Sequence, residues 1–279
     1  MRCSVSILRD PRYFVEIAEA LRDSLRALGH EVATGRLVRG GRNIVLAPQA
    51  LDRATLDRLP AGTILYNFEQ LAAQPPVADF AALCGGVRHV EWWDYSSGNL
   101  ALLRRLGFRG RARWVPLGFA PSMCRVADRA EPDIDVLFYG GLSPRREAVL
   151  ERLRGRCRCY VAVNCFGAAR DRLIGRAKVV LNVHYYESFV LETPRVVYLL
   201  ANGKAVVSER NPTTEIEPWI ERAIVTAPYE DLADACLALV ADEPRRLALA
   251  GAAAGRAREA DMTRILAAAL GEDREAAAG

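Results

Sequence analysis

The chain has 279 residues, 51% of them hydrophobic and 26% charged, with a formal net charge of +4. Length and apolar content supply one large core or two ordinary ones, which excludes a disordered chain. Arginine carries nearly all of the basicity, because lysine occurs only at Lys178 and Lys204. The arginines are scattered rather than massed, which argues against a nucleic-acid partner.

Cys3 to Leu8 reads as a first strand and Tyr13 to Leu28 as a helix, with Phe14, Ile17, Ala18, Leu21, Leu25 and Leu28 on one face and Gly29 to stop it. Strands are expected over Glu31 to Ala33, Asn43 to Ala47 and Gly62 to Tyr66, the second apolar enough to be buried on both faces. Asp52 to Arg58 is a short helix between them. The segment VEWWDYSSGN, Val90 to Asn99, leaves a strand and enters a helix over Leu100 to Leu106, with Ser96 or Ser97 as its N-cap. A strand at Ala112 to Val115 ends in Pro116-Leu117-Gly118-Phe119. A polar stretch bracketed by Pro121 and Pro132 then marks a linker.

The rhythm restarts with a strand over Asp135 to Tyr139, a turn at Gly140-Gly141, a helix over Pro144 to Leu153 and a strand over Arg158 to Val163. Next come a short helix at Ala168 to Arg172, a strand at Lys178 to Val183, a helix at Pro194 to Ala201, and strands at Ala205 to Ser208 and near Ala223 to Val225. Helices over Tyr229 to Ala241, Pro244 to Gly255 and Ala260 to Leu270 close the chain. Strand alternating with helix at this spacing predicts α/β architecture with parallel sheets. The expected division is a first lobe over 1–120, a linker over 121–133, a second lobe over 134–258, and a segment over 259–279 whose helix crosses back to the first lobe before a frayed tail.

The seven cysteines are odd in number and lack secretory spacing, which points to a reducing, cytoplasmic setting. Cys157 and Cys159 share one face of a strand and are read as packing, and three histidines are too few for a zinc cluster. Arg9, Asp10, Arg12 and Glu16 interrupt the N-terminus before any signal-peptide run, and no stretch reaches membrane-span length. Any membrane role is therefore expected to be peripheral contact at the inner face.

Three segments could carry chemistry. In the first, a buried strand opens through Gly140 and Gly141 into a helix whose first turn holds Pro144, so free N–H groups face the carboxyl edge of the sheet. Arg145 or Arg146 there could clamp a diphosphate, although a tight turn with solvated arginines fits equally well. In the second, His184 emerges where the most hydrophobic strand of this half ends, placed to move a proton or bond a sugar or phosphate. In the third, Glu192 precedes Pro194 at a positive helix end, so it stays ionised and pairs with Arg195 or holds hydroxyls. Glu209 follows the next strand at the same edge. In the first half, Glu69 and Asp94 leave strand ends as candidates for a general base.

The order of strand, Gly-Gly turn and Arg-Arg helix, then L-N-V-H, E-x-x-R and N-G-K-A-V-V-S-E, then E-D-L-A-D-A-C-L-A-L-V and D-E-P-R-R, resembles the nucleotide-sugar-binding lobe of GT-B glycosyltransferases. Within them it is most similar to bacterial CgeB-like and polysaccharide-biosynthesis glycosyltransferases, which also show N-x-E-Q, W-D-Y-S-x-x-N and V-P-L-G-F, here Asn67 to Gln70, Trp93 to Asn99 and Val115 to Phe119. The resemblance implies two Rossmann-like lobes facing each other across a cleft, with acceptor binding in the first and a nucleotide-diphosphate sugar, used as substrate rather than held as a cofactor, in the second. It implies no bound metal. By the same likeness Gly140, Gly141, Ser143, Arg145, Arg146, Arg195 and Glu209 form the donor site, and Glu69, Asp94, His184 and Glu192 are the catalytic candidates. The paired glutamates of many retaining members are missing: their positions, counted back from Gly203, hold Tyr198 and Val190. The expected activity is hexosyl transfer to a glycan, a lipid-linked precursor or a small molecule, in a chain that could form homo-oligomers. The alternatives are a non-catalytic nucleotide-binding or partner protein of the same fold, and an epimerase of similar shape.

Overall fold

The computed structural model describes residues 1–8, 11–73, 75–127, 131–187, 190–212 and 214–272. Two compact units emerge: Met1–Ser122 together with the segment beginning at Asp261, and Met123–Ala260.

In the first unit, β1 (Arg2–Ile7), α1 (Val15–Ala27), β2 (Glu31–Thr34), β3 (Arg42–Leu46), α2 (Arg53–Asp57), β4 (Thr63–Asn67), α3 (Pro75–Gly85), β5 (Val90–Asp94), α4 (Ser97–Arg105) and β6 (Arg111–Trp114) follow one another. Its sheet is parallel throughout, in the order β2-β1-β3-β4-β5-β6. Helix starts are set locally: Asp52 accepts a hydrogen bond from the Thr55 N–H at 2.8 Å, and Ser96 from that of Asn99 at 3.2 Å. Trp92 packs with Val45, Leu65, Leu56 and Leu103. Trp93 points to the opposite face, where its ring meets Tyr66 edge-on at 5.6 Å, so both tryptophans are core.

The second unit runs β7 (Ile134–Tyr139), α5 (Pro144–Leu153), β8 (Cys159–Ala162), α6 (Gly167–Arg176), β9 (Ala177–Asn182), α7 (Thr193–Ala201), β10 (Ala205–Glu209), α8 (Pro218–Glu221), β11 (Val225–Ala227), α9 (Leu232–Ala241) and α10 (Glu243–Glu259). Its sheet, also parallel, has the order β11-β10-β9-β7-β8. Val136, Phe138, Val179, Leu181 and Val207 bury one face against Val149 and Leu153 of α5 and Leu232, Cys236 and Leu239 of α9. Cys157 and Cys159 border this core as packing residues. The last helix, α11 (Met262–Leu270), lies against α1 in the first unit.

Three elements differ from expectation. Helix α3 is absent from the expected elements; Pro75 and Pro76 open it, and proline suits a first helical turn, where its missing N–H has no intrahelical partner. Helix α6 is longer than its polar sequence implies, since Arg170 and Ile174 are buried along it. The short α8 also lacks a readable period. The expected frayed tail lies outside the described residues.

Candidate functional site

In the second sheet the strand order reverses between β7 and β9, the point at which parallel α/β sheets leave a crevice at their carboxyl edge. Strands β7, β9 and β10 end there, and α5 and α7 begin there. Ser143 caps α5, with its hydroxyl accepting from the Arg146 N–H at 3.5 Å, and Pro144 opens the helix. Helix α7 begins after Glu192 with Pro194 in its first turn. Glu192 does not cap the helix with its side chain, which turns toward β9 instead.

Gly140 adopts φ +134°, a conformation that L side chains rarely enter, and a Cβ there would lie 2.6 Å from an Arg195 guanidinium nitrogen. The glycine thus lets Arg195 lie across the turn. Arg195 donates to Asn182 Oδ1 at 3.0 Å and sits over the Tyr139 ring at 5.2 Å. Arg146 is buried, donates from Nε to the Val183 carbonyl at 2.9 Å and from Nη1 to the Gly141 carbonyl at 2.8 Å, and stands 3.6 Å from Glu192. Burial and then Arg195 pull its guanidinium down to about 10.

Arg145, one of the two arginines read as a possible diphosphate clamp, is engaged by Glu209. Its guanidinium forks onto Glu209 at 2.7 and 3.1 Å, donates to the His184 carbonyl at 3.1 Å and lies 4.3 Å from the Tyr229 ring centre. Glu209, 2% exposed, also accepts the His184 N–H at 3.0 Å. The pair ties α5 to β10 and β9.

His184 is fully buried. Its Nδ1 meets Glu192 Oε2 at 2.8 Å, and the same oxygen accepts from Asn182 Nδ2 at 3.0 Å. Burial disfavours the charged imidazole, but Glu192 and then Glu209 outweigh it and raise the ring above its ordinary value. Burial likewise opposes ionisation of Glu192, yet His184, Arg195 and Arg146 hold that carboxyl down at about 2. Within this pair, His184 Nε2 and Glu192 Oε1 are buried with no hydrogen-bond partner among the described residues.

Gly140, Gly141, Ser143, Arg145, Arg146, His184, Glu192, Arg195 and Glu209 therefore gather at one sheet edge. Three guanidinium groups face two carboxylates there, and helix N-termini add further positive potential, which suits an anion. The sequence assigns no role to Asn182, the hub between Glu192, Arg195 and Ser208, or to Tyr229 and Tyr185, whose rings border Arg145 and Arg146. Only the polar interruption that Asn182 makes at the end of an apolar strand could have signalled it. Among the described residues, no three His, Cys, Asp or Glu side chains are grouped to hold a metal ion.

The two first-lobe candidates part company. Asp94 is fully buried and accepts from Asn67 Nδ2, Trp92 Nε1, Asn99 Nδ2 and the Ser96 N–H at 2.9 to 3.1 Å. Burial pushes its carboxyl up to about 7 against these four donors. This is the geometry of a strut joining β4, β5 and α4. Glu69 is partly exposed and receives a hydrogen bond from Gln49 Nε2 at 3.3 Å.

No family model matches the chain. Two uncharacterized proteins of Acanthamoeba polyphaga mimivirus are 29% identical over 176 residues and 27% identical over 182 residues. Each match takes in 62% of this chain and 60% or 58% of the relative, so the chain spans about three fifths of the curated relatives' length. Among solved structures, HepE of Anabaena in complex with UDP-glucose superposes with a TM-score of 0.66 at 12% identity, over 98% of this chain and 100% of that one. Sucrose-phosphate synthase from Thermosynechococcus elongatus gives 0.63 at 11% identity over 100% of both chains. T4 phage BGT with its UDP-glucose substrate gives 0.56 at 9% identity over 96% and 99%. At such identities the likeness is one of fold: the chain has two Rossmann-like lobes, each a parallel sheet flanked by helices, of the GT-B type.

Proposed function

We propose that the chain is a metal-independent glycosyltransferase that takes a sugar from a nucleotide-diphosphate donor. The observation that carries this reading is the convergence of Arg146, Arg195, the Gly140 turn and two helix N-termini at the strand-order reversal of the second sheet, in a fold shared with proteins solved with UDP-glucose. In this reading the diphosphate rests over Gly140 and Gly141. Arg195 and Arg146 offset its charge as the glycosidic bond to the leaving group breaks, a form of preorganised electrostatic stabilisation. Arg145 and Glu209 brace the site, and Glu192 orients His184. We assign acceptor binding to the first lobe and the general base to Glu69, because the Asp94 oxygens are already taken by four donors. A hexose donor, a glycan, lipid-linked or small-molecule acceptor, CgeB-like membership, polysaccharide biosynthesis and a cytoplasmic site with peripheral membrane contact are the finer parts of the proposal, and they rest on the sequence patterns quoted above.

Calorimetric titration with UDP, GDP, TDP, CMP and ADP, with and without magnesium, tests the reading. One nucleotide should bind independently of magnesium, and Arg195→Ala should weaken it. If none of the five binds, the enzyme assignment falls and a non-catalytic partner protein of this fold takes its place.

A further inference from the structure

His184 presents an imbalance that the rest of the site does not resolve. Its backbone N–H, its carbonyl and its Nδ1 are engaged by Glu209, Arg145 and Glu192 respectively. The remaining ring nitrogen, Nε2, is buried with no hydrogen-bond partner among the described residues, although buried polar atoms in folded proteins nearly always have one. Glu209 already serves Arg145 and the His184 N–H, and Glu192 meets the ring through Oε2, which serves Nδ1 and Asn182, while its Oε1 has no hydrogen-bond partner among the described residues. This orphan lies at the end of β9, between the arginine-bearing starts of α5 and α7.

We infer that His184 is a ligand-binding residue whose Nε2–H is kept open for a phosphate oxygen of the bound nucleotide, with Glu192 as the positioning residue that holds the ring doubly protonated. The inference rests on the nucleotide-sugar reading and adds proton linkage to it. The groups that set the charge of the ring are Glu192 at the start of α7 and Glu209 at the end of β10, which favour the imidazolium, and Arg145 on α5, which opposes it. Arg146 and Arg195 act on Glu192 from the far side. The carboxylates prevail, so the ring carries its proton where a free histidine has lost it. A ligand phosphate placed against Nε2 strengthens that hold. Above the pKa of the ring in the free protein, binding then requires uptake of one proton, and affinity falls with rising pH.

The test is magnesium-free calorimetry with UDP between pH 7.5 and 8.5, above the second phosphate ionisation near pH 6 and below loss of the uracil N3 proton, so that the ligand keeps one charge. Imidazole 15N NMR of the same protein follows the ring directly. The chain has only three histidines, and His30→Gln and His89→Gln variants assign His184 by elimination even if a change at His184 itself prevents folding. The expected result is a His184 ring that holds its proton to higher pH with UDP bound than without it. The UDP affinity should weaken by up to about tenfold per pH unit over the range in which the free ring titrates. Glu192→Gln should move both transitions to lower pH, and His184→Gln should remove the pH slope. UDP affinity that stays flat while the ring loses its proton overturns the inference and leaves the nucleotide-sugar reading standing. So does an unprotonated Nε2 at pH 7 in the UDP complex. Failure of UDP, GDP, TDP, CMP and ADP alike to bind at any pH removes both.

Discussion

Replacing Gly140 by alanine separates two things the glycine does. An alanine forced to φ +134° costs about 1–3 kcal/mol, which for a chain of this size is a melting-temperature drop of roughly 2–10 °C. The new methyl would also sit 2.6 Å from the Arg195 guanidinium, which must then leave the turn. Because that nitrogen is the far end of a flexible side chain, its movement adds little to the folding cost. Its effect falls on ligand binding, where losing one charged hydrogen bond to phosphate is worth about 1.5–3 kcal/mol, or roughly 10- to 100-fold in Kd. Thermal denaturation and UDP calorimetry on Gly140→Ala, Arg195→Ala and the double variant read both effects. The stability changes should add, whereas the binding losses should not, because both substitutions remove the same contact. Gly140→Ala binding UDP within twofold of the wild type would refute the placement of Arg195 as the residue that reaches the diphosphate.

The roles of the two flanking arginines should be separable. Arg145→Ala leaves the buried Glu209 carboxylate without its cation and should destabilise the fold by about 3 kcal/mol in urea denaturation, whereas Arg195→Ala should cost affinity more than stability. Asp94→Asn puts an amide N–H2 among four donors and should cost about 1–3 kcal/mol for each donor it strands; circular dichroism in urea checks it, and an unchanged midpoint would remove Asp94 as a strut. Glu192 is held at about 2 against an ordinary 4.5, and a depressed carboxylate contributes stability that is present above pH 4.5 and lost as pH falls toward 2. That difference amounts to about 3 kcal/mol. Glu192→Gln should lack this share of the acid destabilisation, seen as a smaller shift of the urea midpoint between pH 5 and pH 2.5.

The alternation of apolar runs with amphipathic stretches was enough to predict parallel α/β architecture, because strand and helix periods are local properties of the chain. One cap was partly legible: Ser96, one of the two serines read as the N-cap of α4, accepts the hydrogen bond that such a position offers. So was the gathering of Gly140, His184 and Glu209 at one edge, since they end or closely follow strands and parallel strands all end on the same side. Helix α3, opened by two prolines, was not assigned from the sequence. The pairing within the site could not be read at all. In sequence, Arg145 and Arg146 are neighbours with the same chemistry, and Glu192 stands three residues from Arg195. In the folded chain one turn of helix sends Arg145 to Glu209 and Arg146 to the Val183 carbonyl, while Glu192 turns to His184. Likewise nothing local distinguishes Glu69 from Asp94; only the packing of β4 against β5 and α4 surrounds one of them with donors. Backbone conformation follows from nearest neighbours and the hydrophobic period, but the partner of a charged side chain is whatever the other strands and helices bring within 3 Å.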